Sequence, residues 1–127
     1  MYDFPDQDFA VISVSGFQGQ SFIPWGNSKK LVAGDTVIEI GSPFGLGVSA
    51  SRGIVSAIKP EHIQYDAATN PGTSGGVVMN DDGQAIGMAD QIFSTSSPFT
   101  PPQNAGIAFA VPAQTIIRQL RTLDLSQ

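Results

Sequence analysis

Apolar and polar positions alternate along this chain over short runs, and glycine or proline closes almost every run. In "GDTVIEIGS" (34–42), Val37 and Glu39 share one parity while Ile38 and Ile40 share the other, which is the period of a strand. "SRGIVSAI" (51–58) and "HIQYDAA" (62–68) read as the next two strands. "SGGVVMN" runs into "DDG", a tight-turn signal, and then into "QAIGMADQIF" (84–93), so this pair predicts a β-hairpin. A loop dense in Ser, Thr and Pro, "STSSPFTPPQN" (94–104), precedes a last strand, "AGIAFAVP". Six strands after residue 33 at this spacing predict a small barrel or sandwich. Nearer the start, "DFAVISVS" (8–15) is apolar on both parities and predicts a strand buried on both faces.

The period changes at the other end. From Pro112 onward, Ile116, Ile117, Leu120 and Leu123 fall on one helical face. Pro112 suits a first-turn position, and Arg118 and Arg121 sit near the negative end of the helix dipole. A short amphipathic helix at 112–123 is expected to lay its stripe on the strands.

Composition narrows the function classes. The 127 residues suffice for one core, and 41% apolar content with 13% charged residues describes a globular chain. Its net charge of −5 is scattered, which argues against nucleic acid or an anionic membrane as partner. No apolar stretch approaches the roughly 20 residues of a membrane-spanning helix. The absence of cysteine removes disulfides, thiolate metal sites and cysteine nucleophiles together, and it fits either redox compartment. No metal and no cofactor are expected.

One stretch carries more glycine than a turn needs. "NPGTSGG" (70–76) places three glycines around Ser74 between two strands. A serine hydroxyl becomes a useful nucleophile when a base takes its proton and fixed donors stabilise the oxyanion. Flanking glycines let successive N–H groups face one point, and Gly72, Thr73 and Ser74 are spaced for that. The same composition also suits a hairpin loop or a phosphate cradle. A cradle would want a lysine and a following helix, and a strand follows here.

The order of motifs resembles the HtrA/Do-like family of trypsin-fold serine proteases over almost the whole length. The segments that carry the resemblance are "DFAVISV", "VIEIGSPFGLG", "SRGIVSAI", "IQYDAATNPGTSGG", "GQAIGMADQIF" and "GIAFAVP", in the family's order. The resemblance implies an all-β fold: a six-stranded antiparallel Greek-key barrel of the trypsin-like type over 33–111, with one C-terminal helix. Residues 1–32 would then end a first barrel and connect it to the second, and 33–127 would form that second barrel with its helix. Ser74 falls on the nucleophile, and Gly72, Thr73 and Ser74 on the oxyanion hole. Asp8 falls on the aspartate that orients the catalytic histidine. Thr73 stands where many members have asparagine. The family's first pocket maps onto Ala68, Thr69 and Asn70, onto Ala89, Asp90 and Gln91, and onto Ala108 and Ala110. These residues are mostly small and apolar, which predicts a preference for Val, Ala or Leu unless Asp66 or Asp90 turns into the pocket.

The base is missing. In the resembled family it precedes the aspartate, whereas the single histidine here, His62, follows it and reads as a partly exposed strand-end residue. The chain is therefore expected to be part of a serine endopeptidase acting on polypeptides, inactive without a histidine-bearing barrel supplied in cis or in trans. The alternative is a catalytically dead barrel used for peptide binding or oligomerisation. "FAVISVS", separated from its partners, is expected to be an orphan strand that pairs with another copy or folds on the barrel, so self-association through 9–15 is anticipated. By resemblance the compartment is the cell envelope. The loops 42–47 and 94–104 correspond to segments that the family switches between ordered and disordered states, and 94–104 is expected to be the most mobile.

Overall fold

The alternation in the strand Thr36–Gly41 decides which face becomes core: Val37 and Glu39 are buried, while Ile38 and Ile40 are half-buried. The computed structural model describes residues 1–92 and 106–123, so the loop 94–104 and its expected mobility lie outside the described residues. In chain order the strands are β1 (Tyr2–Phe4), β2 (Phe9–Val11), β3 (Thr36–Gly41), β4 (Ser49–Ile58), β5 (Ile63–Tyr65), β6 (Val77–Met79), β7 (Ala85–Ile92) and β8 (Ala108–Pro112), followed by helix α1 (Ala113–Leu120).

Strands β3 to β8 close a six-stranded barrel in the order β3-β4-β5-β8-β7-β6, and every neighbouring pair is antiparallel. The ring order fixes the key connection. β5 sits between β4 and β8, whereas β6 sits between β7 and β3. Residues 66–76 must therefore cross the end of the barrel, and this Greek-key crossover is the segment that carries Ser74. The β6–β7 hairpin closes on Asn80–Gly83, where Asn80 Oδ1 accepts the N–H groups of Asp82 and Gln84 at 3.0 Å.

Small and branched side chains fill the barrel: Val37, Val55, Ile63, Val78 and Ile86 pack with Ala67, Ala89, Ala108 and Ala110. A second cluster joins Phe9, Val111 and Ile116, with Phe4, Val11, Met88 and Leu120 at its edge. It fastens α1 and the N-terminal segment to the outside of the barrel. The helix has no side-chain cap of its own at Pro112. Buried Ser28 supplies one from the connector, its Oγ accepting the Gln114 N–H at 3.1 Å.

The orphan strand is corrected. β2 covers only 9–11 and pairs antiparallel with β1. The 3-10 turn Pro5–Gln7 folds the chain back so that Phe4 and Phe9 stack, centroids 4.9 Å apart. Phe9 is buried against Val111 and Ile116, so the segment folds on the barrel, one of the two outcomes expected for it. Ile12 and Val14, expected inside a strand buried on both faces, are 68% and 60% exposed because nothing described covers them.

Fully burying an isoleucine side chain is worth about 1.5–3 kcal/mol, and emptying its site adds a cavity cost. Ile86→Ala should therefore destabilise the barrel by about 2–5 kcal/mol in urea unfolding. Ile54→Ala, at a residue 45% exposed, should cost well under half as much.

Candidate active site

Hydrogen bonds and close backbone approaches hold the Ser74 crossover in place. At its start, buried Thr69 donates from Oγ1 to Glu39 Oε2 at 2.5 Å, and Tyr65 OH donates to the same oxygen at 2.5 Å. Pro71 O accepts the N–H of Phe44 at 2.7 Å, which joins the crossover to the loop 42–47. Thr73 packs its methyl against Gly41, where a Cβ would lie 2.6 Å from Thr73 Cγ2. At the far end Gly75 N–H donates to Ala89 O at 2.7 Å, and Gly76 passes so near β3 that a Cβ would sit 2.4 Å from Ile40 O. Gly72 has φ +98°, and a Cβ there would meet Ser42 O at 2.7 Å. Phe44 takes φ 54°, an unusual value for a bulky residue, where the two loops meet.

Ser74 itself is exposed and donates from Oγ to Asp90 O at 2.7 Å. Asp90 is the extra residue of a bulge in β7, between Ala89 opposite Ala110 and Gln91 opposite Phe109. Thr73 N–H donates to Asn70 O at 3.1 Å, so this amide is spent inside the loop. Among the described residues the Gly72 and Ser74 amides have no acceptor, and both residues are exposed. Of the three donors anticipated for an oxyanion, the structure leaves these two free. Thr73 Oγ1 is buried without a partner, at a cost of about 1–3 kcal/mol.

Asp8 lies elsewhere. It ends the turn Pro5–Gln7 at φ 60° and shares a cavity of about 280 Å³ with His62, Asp90, Glu61 and Arg118, which Ser74 does not line. His62 Nε2 is 3.0 Å from Asp90 Oδ2, and the His62 ring stands edge-on to Phe109. Burial, then the neighbouring Asp8 carboxyl, raise the Asp90 pKa, and His62 opposes them. Asp8 is thus no isolated surface carboxylate, and His62 has a hydrogen-bond partner in Asp90 that its sequence neighbours did not reveal.

The remaining pocket candidates scatter. Ala89, Ala108 and Ala110 are core side chains, Thr69 is buried on Glu39, Ala68 is exposed and Asn70 half-buried. Asp66 Oδ1 accepts the Ile54 N–H at 2.7 Å and Asp90 turns to His62, so both carboxylates are already engaged. For Gln91 only the backbone is described, in the β7–β8 ladder.

A family profile described as "Trypsin-like peptidase domain" matches residues 1–88. The chain belongs to this family. Within the family it is 40% identical over 134 residues to a DegP-like periplasmic serine endoprotease of Bartonella henselae, covering 97% of this chain and 26% of that protein. A periplasmic do/HhoA-like serine protease of Haemophilus influenzae is 37% identical, over 89% of this chain and 26% of the relative. Among solved structures, the HtrA-type protease AlgW with decapeptide superposes with a TM-score of 0.71 at 34% identity, over 79% of this chain and 32% of that one. The HtrA/Do-like assignment and the barrel agree with the motif order read from the sequence. This peptidase domain spans about a quarter of the length of the curated relatives it matches. Among the described residues, no helix is long and apolar enough to cross a membrane.

The Asp8–Asp90 contact predicts a pH response. A carboxyl whose folded pKa is raised favours its protonated form. Its stabilising contribution is therefore complete below the ordinary value of 3.8 and is lost as pH rises through the raised one. The hydrogen-bonded amides of the β1–β2 hairpin should exchange faster as pH climbs through that window, after correction for intrinsic exchange. Asp90→Asn, which donates without titrating, should flatten the curve. Identical curves for the two proteins would rule this contact out as the cause.

Proposed function

We propose that this domain carries the nucleophile of a serine endopeptidase that cleaves polypeptides through an acyl-enzyme on Ser74. The observation that carries the reading is an exposed Ser74 on the barrel crossover, beside two amides, Gly72 and Ser74, that have no acceptor among the described residues. Stabilising a tetrahedral oxyanion requires donors of this kind, positioned before the reaction begins. Attack by Ser74 Oγ on a scissile carbonyl would expel the amine and leave an ester, which water then hydrolyses. Both steps need a base that accepts and returns the serine proton.

These 127 residues contain one histidine, and it pairs with Asp90 while Ser74 Oγ rests on a backbone carbonyl. The base would come from a histidine-bearing barrel, in the same polypeptide or another, with Asp8 withdrawn from Asp90 to orient it. Exposed apolar side chains support such a covering half: Phe22 is 85% and Leu46 84% exposed, with Phe17, Phe44 and Val48 also bare. The relatives' periplasmic names support action outside the cytoplasm. With Asp66 bonded to the Ile54 amide and Asp90 to His62, neither of these carboxylates is turned to select basic residues, which favours substrates with Val, Ala or Leu before the cleaved bond.

The chain alone should show no measurable hydrolysis of an unfolded polypeptide. Supplied with the histidine-bearing barrel of a DegP-like relative, it should hydrolyse the polypeptide and take a fluorophosphonate on Ser74. Ser74→Ala should abolish both, since loss of a triad member costs about 10⁴–10⁶-fold. Ser74-dependent hydrolysis by the chain alone would overturn the missing-base account. Peptide binding that survives Ser74→Ala, with no labelling in any combination, would make the barrel a binding module.

A further inference from the structure

A carboxylate in a barrel core is expensive, and at Glu39 the cost is not offset by a cation. The residue is 2% exposed, and among the described residues no lysine, arginine or histidine pairs with it. Its Oε2 is held by two hydroxyls, from Tyr65 and Thr69. A branched apolar residue would continue the packing begun by Val37 and would commonly leave a barrel at least as stable. Glu39 therefore calls for an explanation other than stability.

We propose that Glu39 is a positioning residue for Ser74, acting through Thr69; the catalytic part of this inference rests on the protease reading above. Thr69 stands where the crossover leaves the barrel wall, five positions before the nucleophile. Of its hydroxyl's neighbours, Glu39 Oε2 is the nearest, with Ala67 O at 3.2 Å and Tyr65 OH at 3.4 Å. Two positions beyond Glu39 on the same parity, Gly41 receives Thr73, the residue before Ser74. One strand thus fixes both the departure point of the crossover and the residue adjoining the nucleophile. Burial and the Glu39 carboxylate hold the Tyr65 phenol protonated well above its ordinary range, so it remains a donor on the opposite side of the same oxygen.

The two donors allow positioning to be separated from plain stability. Thr69→Val and Tyr65→Phe each remove one hydroxyl from Glu39, but only Thr69 belongs to the crossover. The first readout is amide exchange of Gly75 in the 127-residue chain, with Ala110 in the β5–β8 ladder as reference. The second is the rate of Ser74 fluorophosphonate labelling with the histidine-bearing barrel added. Thr69→Val should speed Gly75 exchange and slow labelling, each roughly tenfold, as expected for one charge-assisted hydrogen bond, and leave Ala110 unchanged. Tyr65→Phe should stay within about twofold of the wild type at Gly75 and in labelling, a smaller share of the same bond energy. Glu39→Ala should behave like Thr69→Val, and Glu39→Gln, which keeps an acceptor oxygen, should recover most of the loss. Thr69→Val indistinguishable from wild type at Gly75, or Gly75 and Ala110 accelerating together, would overturn the proposal. If wild type is never labelled while Thr69→Val still loosens Gly75 alone, the positioning stands and the protease reading fails.

Discussion

The crossover that carries Ser74 has to run against β3, and the two backbones meet there with no room for side chains. Gly76 passes over the Ile40 carbonyl and Gly41 receives the Thr73 methyl, contacts that a Cβ at either glycine would close. Antiparallel ring order leaves the chain no shorter way from β5 to β6. The glycines of "NPGTSGG" thus serve approach as well as turning, and the exposure of Ser74 follows from the path. A loop lying on a closed barrel is also more rigid than one reaching into solvent, which suits a group whose chemistry tolerates little displacement.

Asp90 joins two regions that would otherwise be independent. Its carbonyl, turned out by the bulge in β7, accepts the Ser74 hydroxyl, while its carboxyl faces His62 and Asp8. The N-terminal hairpin therefore touches the strand on which Ser74 rests. If the domain is half of a serine protease, Asp8 would leave this contact when a second barrel docks. The hairpin would then be a local solution to burying Phe9 and satisfying Asp8.

The strands, the helix and the order of the barrel segments were legible in the sequence, because a closed barrel imposes a strict two-residue parity and glycine or proline marks each corner. Ser74 with its glycines was legible for the same reason. Glu39 was half legible: its shared parity with Val37 was plain, but which parity faces inward, and how Tyr65 and Thr69 hold a carboxylate there, appear only in the tertiary structure. The pairing of His62 with Asp90, 28 positions apart, has no local signal. The apolar run 8–15 misled because period alone cannot report whether a partner exists. Phe9 found a surface to cover it, and Ile12 and Val14 did not. Of the alanines assigned to a pocket by resemblance, Ala89, Ala108 and Ala110 lie in the core and Ala68 is exposed, since a parity pattern gives the face of a strand but not the opening of a cleft.

The account depends on the Ser74 crossover being seated on β3 by this barrel's own contacts, before any second half is present. Nuclear Overhauser effects in the isolated chain test that directly. A strong effect between the Thr73 methyl and the Gly41 α-protons is predicted, alongside the cross-strand effects of the β3–β4 pair. Intact β3–β4 effects with none between Thr73 and Gly41 would mean that the barrel forms without seating the Ser74 crossover, and would contradict the account.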